Sequence, residues 1–286
     1  MTGADMAPLG PIHVVDLFPD ERGHLLQLLS ALADEQWNRP TVCPGWTVKD
    51  VALHVLGVDV GVLSGSRDGF HDPSTSAPQG EALEWTQLVA VVNRLNDAWV
   101  RAARRISPRL LCELLACTGD AVSAYYRGRD PTAIGGPVSW AGPAPAPVWL
   151  DIAREYTERW VHQQQIRDAL NQPGLTAPRY FAPVLATFVR ALPHTLRDVT
   201  ASPSTCLRLA ISGAAGGAWM AMRTDDGWVL GQDCGTATDA TVTIDQDVAW
   251  RLFTRGMARD EAVRRVRLEG DRDLAARVLE MVSIIA

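Results

Sequence analysis

The texture of the chain changes near residue 200, and that break constrains the fold more than any other feature. Before it, apolar residues recur at helical spacing. Leu25, Leu26, Leu28, Leu29 and Leu32 form one stripe, and Leu88, Val91, Val92, Leu95, Trp99 and Ala102 form another within a helix expected over 81–106. A further helix is expected over 110–126, one over 149–170 and one over 180–199. After TASPST the runs CLRLAIS, GAWMAMR, GWVLG and ATVTID are short, β-rich and punctuated by Gly and Asp, the texture of an antiparallel sheet, with two helices, roughly 246–254 and 271–282, closing the chain. The fold class is therefore α+β: a four- or five-helix bundle over 1–200 followed by a small α+β domain over 201–286. At 286 residues the chain is long enough for both.

Composition narrows the partners. A net charge of −6 carries no basic stripe, so neither nucleic acid nor an anionic membrane surface is an expected partner. No window is apolar enough to cross a bilayer and the N-terminus lacks a leader pattern, which points to the cytoplasm. Five scattered cysteines without a C-x-x-C pair imply neither a disulfide framework nor a cysteine zinc site. Among 27 basic residues Lys49 is the single lysine, a bias that fits a GC-rich bacterial genome.

Two segments carry chemistry. In TVCPGWTVKDVALHVLG, Thr47 and Asp50 have capping-box spacing, which starts a helix and places His54 about two turns into it, among Val51, Val55 and Val58. A buried imidazole needs partners. Gly57 and Gly61 follow on the same face and are expected to leave space there. In WLDIAREYTERWVHQQQIRDAL, the residues Glu155, Glu158, His162 and Gln165 fall at spacings of 3, 4 and 3, along one side of a helix. One reading is a solvated face with an ordinary Glu158–His162 pair and a satisfied core His54. The other is an open metal site of two histidines and a carboxylate, with positions left for water or sulfur. Between the segments, the Pro- and Gly-rich stretch before Trp149 reads as a functional lid or a flexible excursion, with Trp140 as a possible roof to a pocket. GAAGG at 213–217 reads as a hairpin turn and Cys43 as a small buried thiol near the site, while His24, His71 and His194 are assigned nothing.

CPGWTVKDVALHVLG resembles the N-terminal signature of the mycothiol-dependent maleylpyruvate isomerase family, a branch of the DinB-like metal-binding bundles, and EYTERWVHQQQIRDAL resembles its second metal segment. LEGDRDLAARVLEMVSIIA resembles the end of a sterol-carrier-protein-like domain. The resemblance implies a DinB-like four-helix bundle that holds one divalent ion, zinc, through His54, Glu158 and His162. It also implies mycothiol as thiol cosubstrate, a small electrophilic substrate, and Arg255 in WRLFTRG, with Arg251 one turn before it, as the match for a substrate-binding arginine. Relatives often carry an acidic residue where this chain has Gln165. The implied activity is cis–trans isomerisation of the maleylpyruvate type or S-transfer. The alternatives are a non-catalytic small-molecule or lipid carrier with a vestigial metal site, and a metal-dependent hydrolase with Glu155 as base. Either a monomer or a homodimer is compatible with these residues.

Overall fold

The structure, a computed structural model, describes residues 6–72 and 85–283. By contacts the chain divides into two compact units: 15–129 with 159–174, and 1–14 with 130–158 and 175–286. The expected boundary at 200 followed sequence texture, whereas contacts group residues 175–199 with the sheet that follows them.

The first unit is helical. It contains α1 (Phe18–Ser30), α2 (Val48–Gly61), α3 (Trp85–Ala103), α4 (Pro108–Arg127) and the C-terminal part of α5 (Val148–Ala169). Residues 81–84 of the expected third helix, and residues 73–80 before them, lie outside the described residues. Helix α2 is central and packs against α3 and α4. Val48, Val51, Ala52, Leu53, Val55 and Leu56 are all buried, and each fully buried Val or Leu contributes about 1.5–3 kcal/mol.

The start of α2 is fixed as its sequence requires. The Asp50 amide donates to Thr47 Oγ1 at 3.3 Å, and the Thr47 amide donates to Asp50 Oδ2 at 3.0 Å. Arg104 adds two hydrogen bonds to the same carboxylate, at 2.8 and 3.0 Å. Burial would raise the Asp50 pKa, but the Arg104 and Thr47 bonds outweigh it and hold the carboxyl below its ordinary value.

A buried ionic cluster joins four helices. Asp59 of α2, fully enclosed, accepts from Arg22 of α1 at 2.8 and 3.1 Å and from Arg159 of α5 at 2.9 Å. Thr118 of α4 also donates to it, at 2.7 Å. Arg22 in turn donates to the Leu115 carbonyl of α4 at 2.8 Å. Beside them, Gln163 Nε2 donates to Glu21 Oε1 at 2.7 Å, while Glu21 Oε2 is buried without a hydrogen-bond partner.

The second unit holds a hairpin of β1 (Ile134–Pro137) and β2 (Pro145–Pro147), then the N-terminal part of α5, α6 (Pro178–Phe188) and the short α7 (Leu192–Thr195). The Pro- and Gly-rich stretch is thus partly ordered as a hairpin, with Val138 and Trp140 buried. A sheet of β3 (Cys206–Ser212), β4 (Gly217–Thr224), β5 (Gly227–Gln232), β6 (Ala240–Asp245) and β7 (Arg267–Gly270) follows. In sequence α8 (Gln246–Phe253) and α9 (Arg259–Val263) lie between β6 and β7, and α10 (Arg272–Ala276) follows β7. GAAGG is the β3–β4 turn.

Strand order is β5-β4-β3-β6-β7, and β3 and β6 run parallel, so the sheet is mixed rather than purely antiparallel. Side-chain alternation has period two in either orientation and does not distinguish them. What decides the orientation is residues 233–239, which carry the chain from β5 across to the free side of β3. The opposite edge, β5, is covered by the N-terminal segment through a Pro8–Gly231 bridge.

The ionic cluster sets two opposite expectations. Burial would raise the Asp59 pKa, but Arg22, Arg159 and Thr118 together hold it below its ordinary value. Its stabilising share is therefore full above about pH 4 and is lost as pH falls through the lower folded value. Burial raises the Glu21 pKa despite the two arginines, so the cost of ionising it grows as pH rises through that raised value. In urea titrations across pH, Asp59→Asn is expected to lose about 3–5 kcal/mol at pH 7, and Glu21→Gln to match or exceed the wild type. An Asp59→Asn protein within about 0.5 kcal/mol of wild type would contradict this reading of the cluster.

Candidate metal centre

Helices α2 and α5 bring together the three residues singled out in the sequence. His54, Glu158 and His162 each offer a ligand atom, and these atoms lie within 4.8 Å of one another. Both histidines are buried, at 4% and 2% exposure, and their rings meet edge to face with centroids 4.6 Å apart. Glu158 is half-buried, one turn before His162 on α5. Ligand atoms around a tetrahedral ion with bonds of about 2.1 Å sit roughly 3.4 Å apart, a spacing that small side-chain rotations reach from this arrangement.

Gln165 orients the second histidine. Its Oε1 accepts from His162 Nδ1 at 2.7 Å, which leaves His162 Nε2 as the nitrogen for an ion. The same oxygen accepts from Cys43 Sγ at 3.2 Å, so the buried thiol of the turn before α2 is tied to the site through the amide. Trp46 lies against His54, with ring centroids 5.1 Å apart, and its own Nε1 donates to Asp97 Oδ1 at 3.2 Å. The two-histidine, one-carboxylate set and the oriented tautomer suit a divalent ion such as zinc.

Other expected site residues fall differently. Glu155 is buried and accepts from Arg154 at 2.5 Å, an ion pair that occupies the one candidate base of the hydrolase reading. Arg255 is exposed, in a left-handed turn (φ 60°) just after α8, while Arg251 bonds Asp247 and stacks on Trp250 at 4.3 Å. Gly57 does not leave the space expected of it: a Cβ there would meet the Trp99 indole at 2.5 Å, so the ring itself fills the gap. Gly61 does face open space.

The sequence reading missed the groups that hold the ligands in register, Asp59, Arg22, Arg159 and Glu21. Partners 37 and 100 residues apart leave no local spacing to recognise. Gln165, in contrast, lies three residues after His162 on one continuous helix, so the i, i+3 spacing places its amide beside the imidazole that it bonds.

Metal analysis after purification from zinc-supplemented medium is expected to give about one ion per chain, lost in His54→Ala and His162→Ala proteins that retain their helical circular dichroism. Gln165→Ala is expected to keep the ion but weaken its binding about 10–100-fold, measured by chelator competition. Full metal content in either histidine variant would exclude this centre.

Among the described residues no helix is long and apolar enough to cross a membrane. The family model for the mycothiol maleylpyruvate isomerase N-terminal domain matches residues 18–167. Two crystal structures share the fold. One is a histidine-to-alanine mutant of the mycothiol-dependent maleylpyruvate isomerase, at 10% identity over 90% of this chain and 92% of that one, with a TM-score of 0.52. The other is that isomerase without the mutation, at 12% identity over 89% and 92%, with a TM-score of 0.51. No curated protein matches in sequence. With the family model spanning more than half of its length, including all three clustered residues, the chain belongs to the mycothiol maleylpyruvate isomerase family.

Proposed function

We propose that this protein is a metal-dependent enzyme that uses mycothiol on a small electrophilic acid, as a cis–trans isomerase of the maleylpyruvate type. The observation that carries the proposal is the His54–Glu158–His162 cluster, with His162 oriented by Gln165, in a member of this family. A bound zinc ion would supply a positive centre that favours thiolate over thiol at neutral pH.

His54, Glu158 and His162 would hold the ion, two neutral imidazoles and one carboxylate leaving it with net positive charge. Gln165 keeps the Nδ1 proton of His162 engaged, so that Nε2 stays available. Because the histidines are buried, water is largely excluded from their side of the site, which strengthens every charge interaction there. The thiolate sulfur then adds to one carbon of the activated C=C bond, and the π electrons move onto the conjugated carbonyl oxygen. Rotation about the resulting single bond and return of the electron pair expel the thiolate and leave the opposite geometric isomer. Thiol is neither consumed nor oxidised. If a proton traps the adduct before elimination, the product is a thioether, and the same residues perform S-transfer.

Arg255 is the residue proposed to bind the substrate carboxylate. Its exposed guanidinium provides the charge required.

Incubating zinc-loaded protein with mycothiol and a panel of cis-ene-dicarbonyl acids is expected to give the trans isomers at constant thiol concentration. Glu158→Gln should reduce the rate at least about tenfold. Arg255→Ala should raise KM for the acid with metal content unchanged. Isomerisation at equal rate without thiol, or no isomer or adduct across the panel, would overturn the proposal.

A further inference from the structure

Gln165 meets His162 through an amide, and an amide has two unlike ends of nearly the same size. If the carbonyl faces the imidazole, Nδ1 carries the proton and Nε2 presents a lone pair. If the NH2 faces it, Nδ1 accepts and the proton sits on Nε2, where it blocks an ion. A carboxylate in this place would accept at either end and leave no such choice. With glutamine, a second neighbour has to make it.

That neighbour is Cys43. Its Sγ lies 3.2 Å from Gln165 Oε1, the same oxygen that meets His162 Nδ1 at 2.7 Å. A carbonyl oxygen has two lone pairs, which the S–H and Nδ1–H donors fill together. Turning the amide over would set Nε2 against the sulfur, a weak acceptor, and would leave the thiol proton without its oxygen. Among the described residues Gln165 is the only hydrogen-bond partner of that thiol. Cys43, Gln165 and His162 are all buried, so bulk water does not stand in for a missing partner.

The thiol is held in place by the turn before α2. The Cys43 amide donates to Thr41 Oγ1 at 3.2 Å, and the Cys43 carbonyl accepts from the Trp46 amide at 3.0 Å. The Thr41 amide donates to the Trp46 carbonyl at 3.0 Å, and Gly45 supplies the left-handed conformation (φ 76°) that the turn contains. The same turn carries Trp46, which lies against His54. One turn therefore reaches both histidines of the centre, His54 through an indole and His162 through a thiol and an amide.

We propose that Cys43 is a positioning residue of the metal centre: its S–H bond fixes the carbonyl of Gln165 toward His162 and thereby keeps the imidazole proton on Nδ1. This role rests on the metal reading of His54, Glu158 and His162 given above. It calls for a small donor at position 43 rather than for a nucleophile or a further ligand.

Long-range proton–nitrogen correlation spectra of metal-free protein with isotope-labelled histidine, at about pH 8 where imidazole is neutral, show which nitrogen of His162 carries the proton. A His162→Ala protein identifies its signals. Wild type is expected to hold the proton on Nδ1. Cys43→Ala and the nearly isosteric Cys43→Val lack the donor and should shift the tautomer ratio toward Nε2–H about three- to tenfold, the equivalent of one net hydrogen bond. Zinc affinity in chelator competition should fall by about the same factor. Cys43→Ser keeps a donor and should match wild type in both measurements. Adding Gln165→Glu to Cys43→Ala should return the proton to Nδ1, a rescue that lost packing would not allow. A proton that stays on Nδ1 in both Cys43→Ala and Cys43→Val, or sits on Nε2 in wild type, would overturn this role while leaving the metal reading in place. Absence of zinc binding by wild type would overturn the metal reading and this role with it.

Discussion

The buried carboxylate of Asp59 holds the helical unit in register. Two arginines and a threonine from three other helices converge on it, and each is oriented by the packing of its own helix. Burying charges costs several kcal/mol per ion, and the mutual attraction repays this only with good geometry. The requirement that makes such a cluster expensive also makes it selective. Sliding α5 along α2 by one turn would take the buried Arg159 away from Asp59 and leave that carboxylate with Arg22 and Thr118 alone. Arg159 directly follows Glu158, and Gln163, bonded to Glu21, directly follows His162. The face of α5 that makes the ionic contacts therefore fixes the neighbouring face that carries the candidate ligands Glu158 and His162.

This arrangement explains how a polar helix comes to be buried. Glu155, Thr157, Arg159, His162, Gln163, Gln164 and Gln165 are each 5% exposed or less, although their sequence is that of a solvated helix. Hydrophobic periodicity therefore says little about which face of α5 is buried; the helix itself and the spacing of Glu155, Glu158, His162 and Gln165 along it were legible. The capping box of α2 was legible because both of its partners lie within three residues. So was His54, as an imidazole out of place in an apolar run. The parallel pairing of β3 and β6 was not, since alternation is the same in either orientation and the connecting residues carry no periodic signal. Nor was the role of Gly57, because its neighbour Trp99 comes from another helix.

In the proposed function, the chemistry of the centre would follow from its charge. Two imidazoles and one carboxylate around a divalent ion would leave a net charge of about +1, which would attract a thiolate. A carboxylate at the position of Gln165 would draw the His162 proton more strongly and reduce that positive field. The neutral amide orients the ring without adding negative charge, and it accepts from Cys43 as well. In this chain α5 thus carries two of the three proposed ligands and the group that orients His162 within eight residues, and the ionic cluster sets their placement.

The most direct measurement is the electronic spectrum of the protein with cobalt(II) in place of zinc, recorded before and after addition of mycothiol. The result expected is the intense ligand-field absorption of a four- or five-coordinate ion held by His54, Glu158 and His162, followed by a sulfur-to-cobalt charge-transfer band that saturates at one thiol per chain. The weak absorption of six-coordinate cobalt, unchanged by thiol, would contradict a centre built to bind a thiolate.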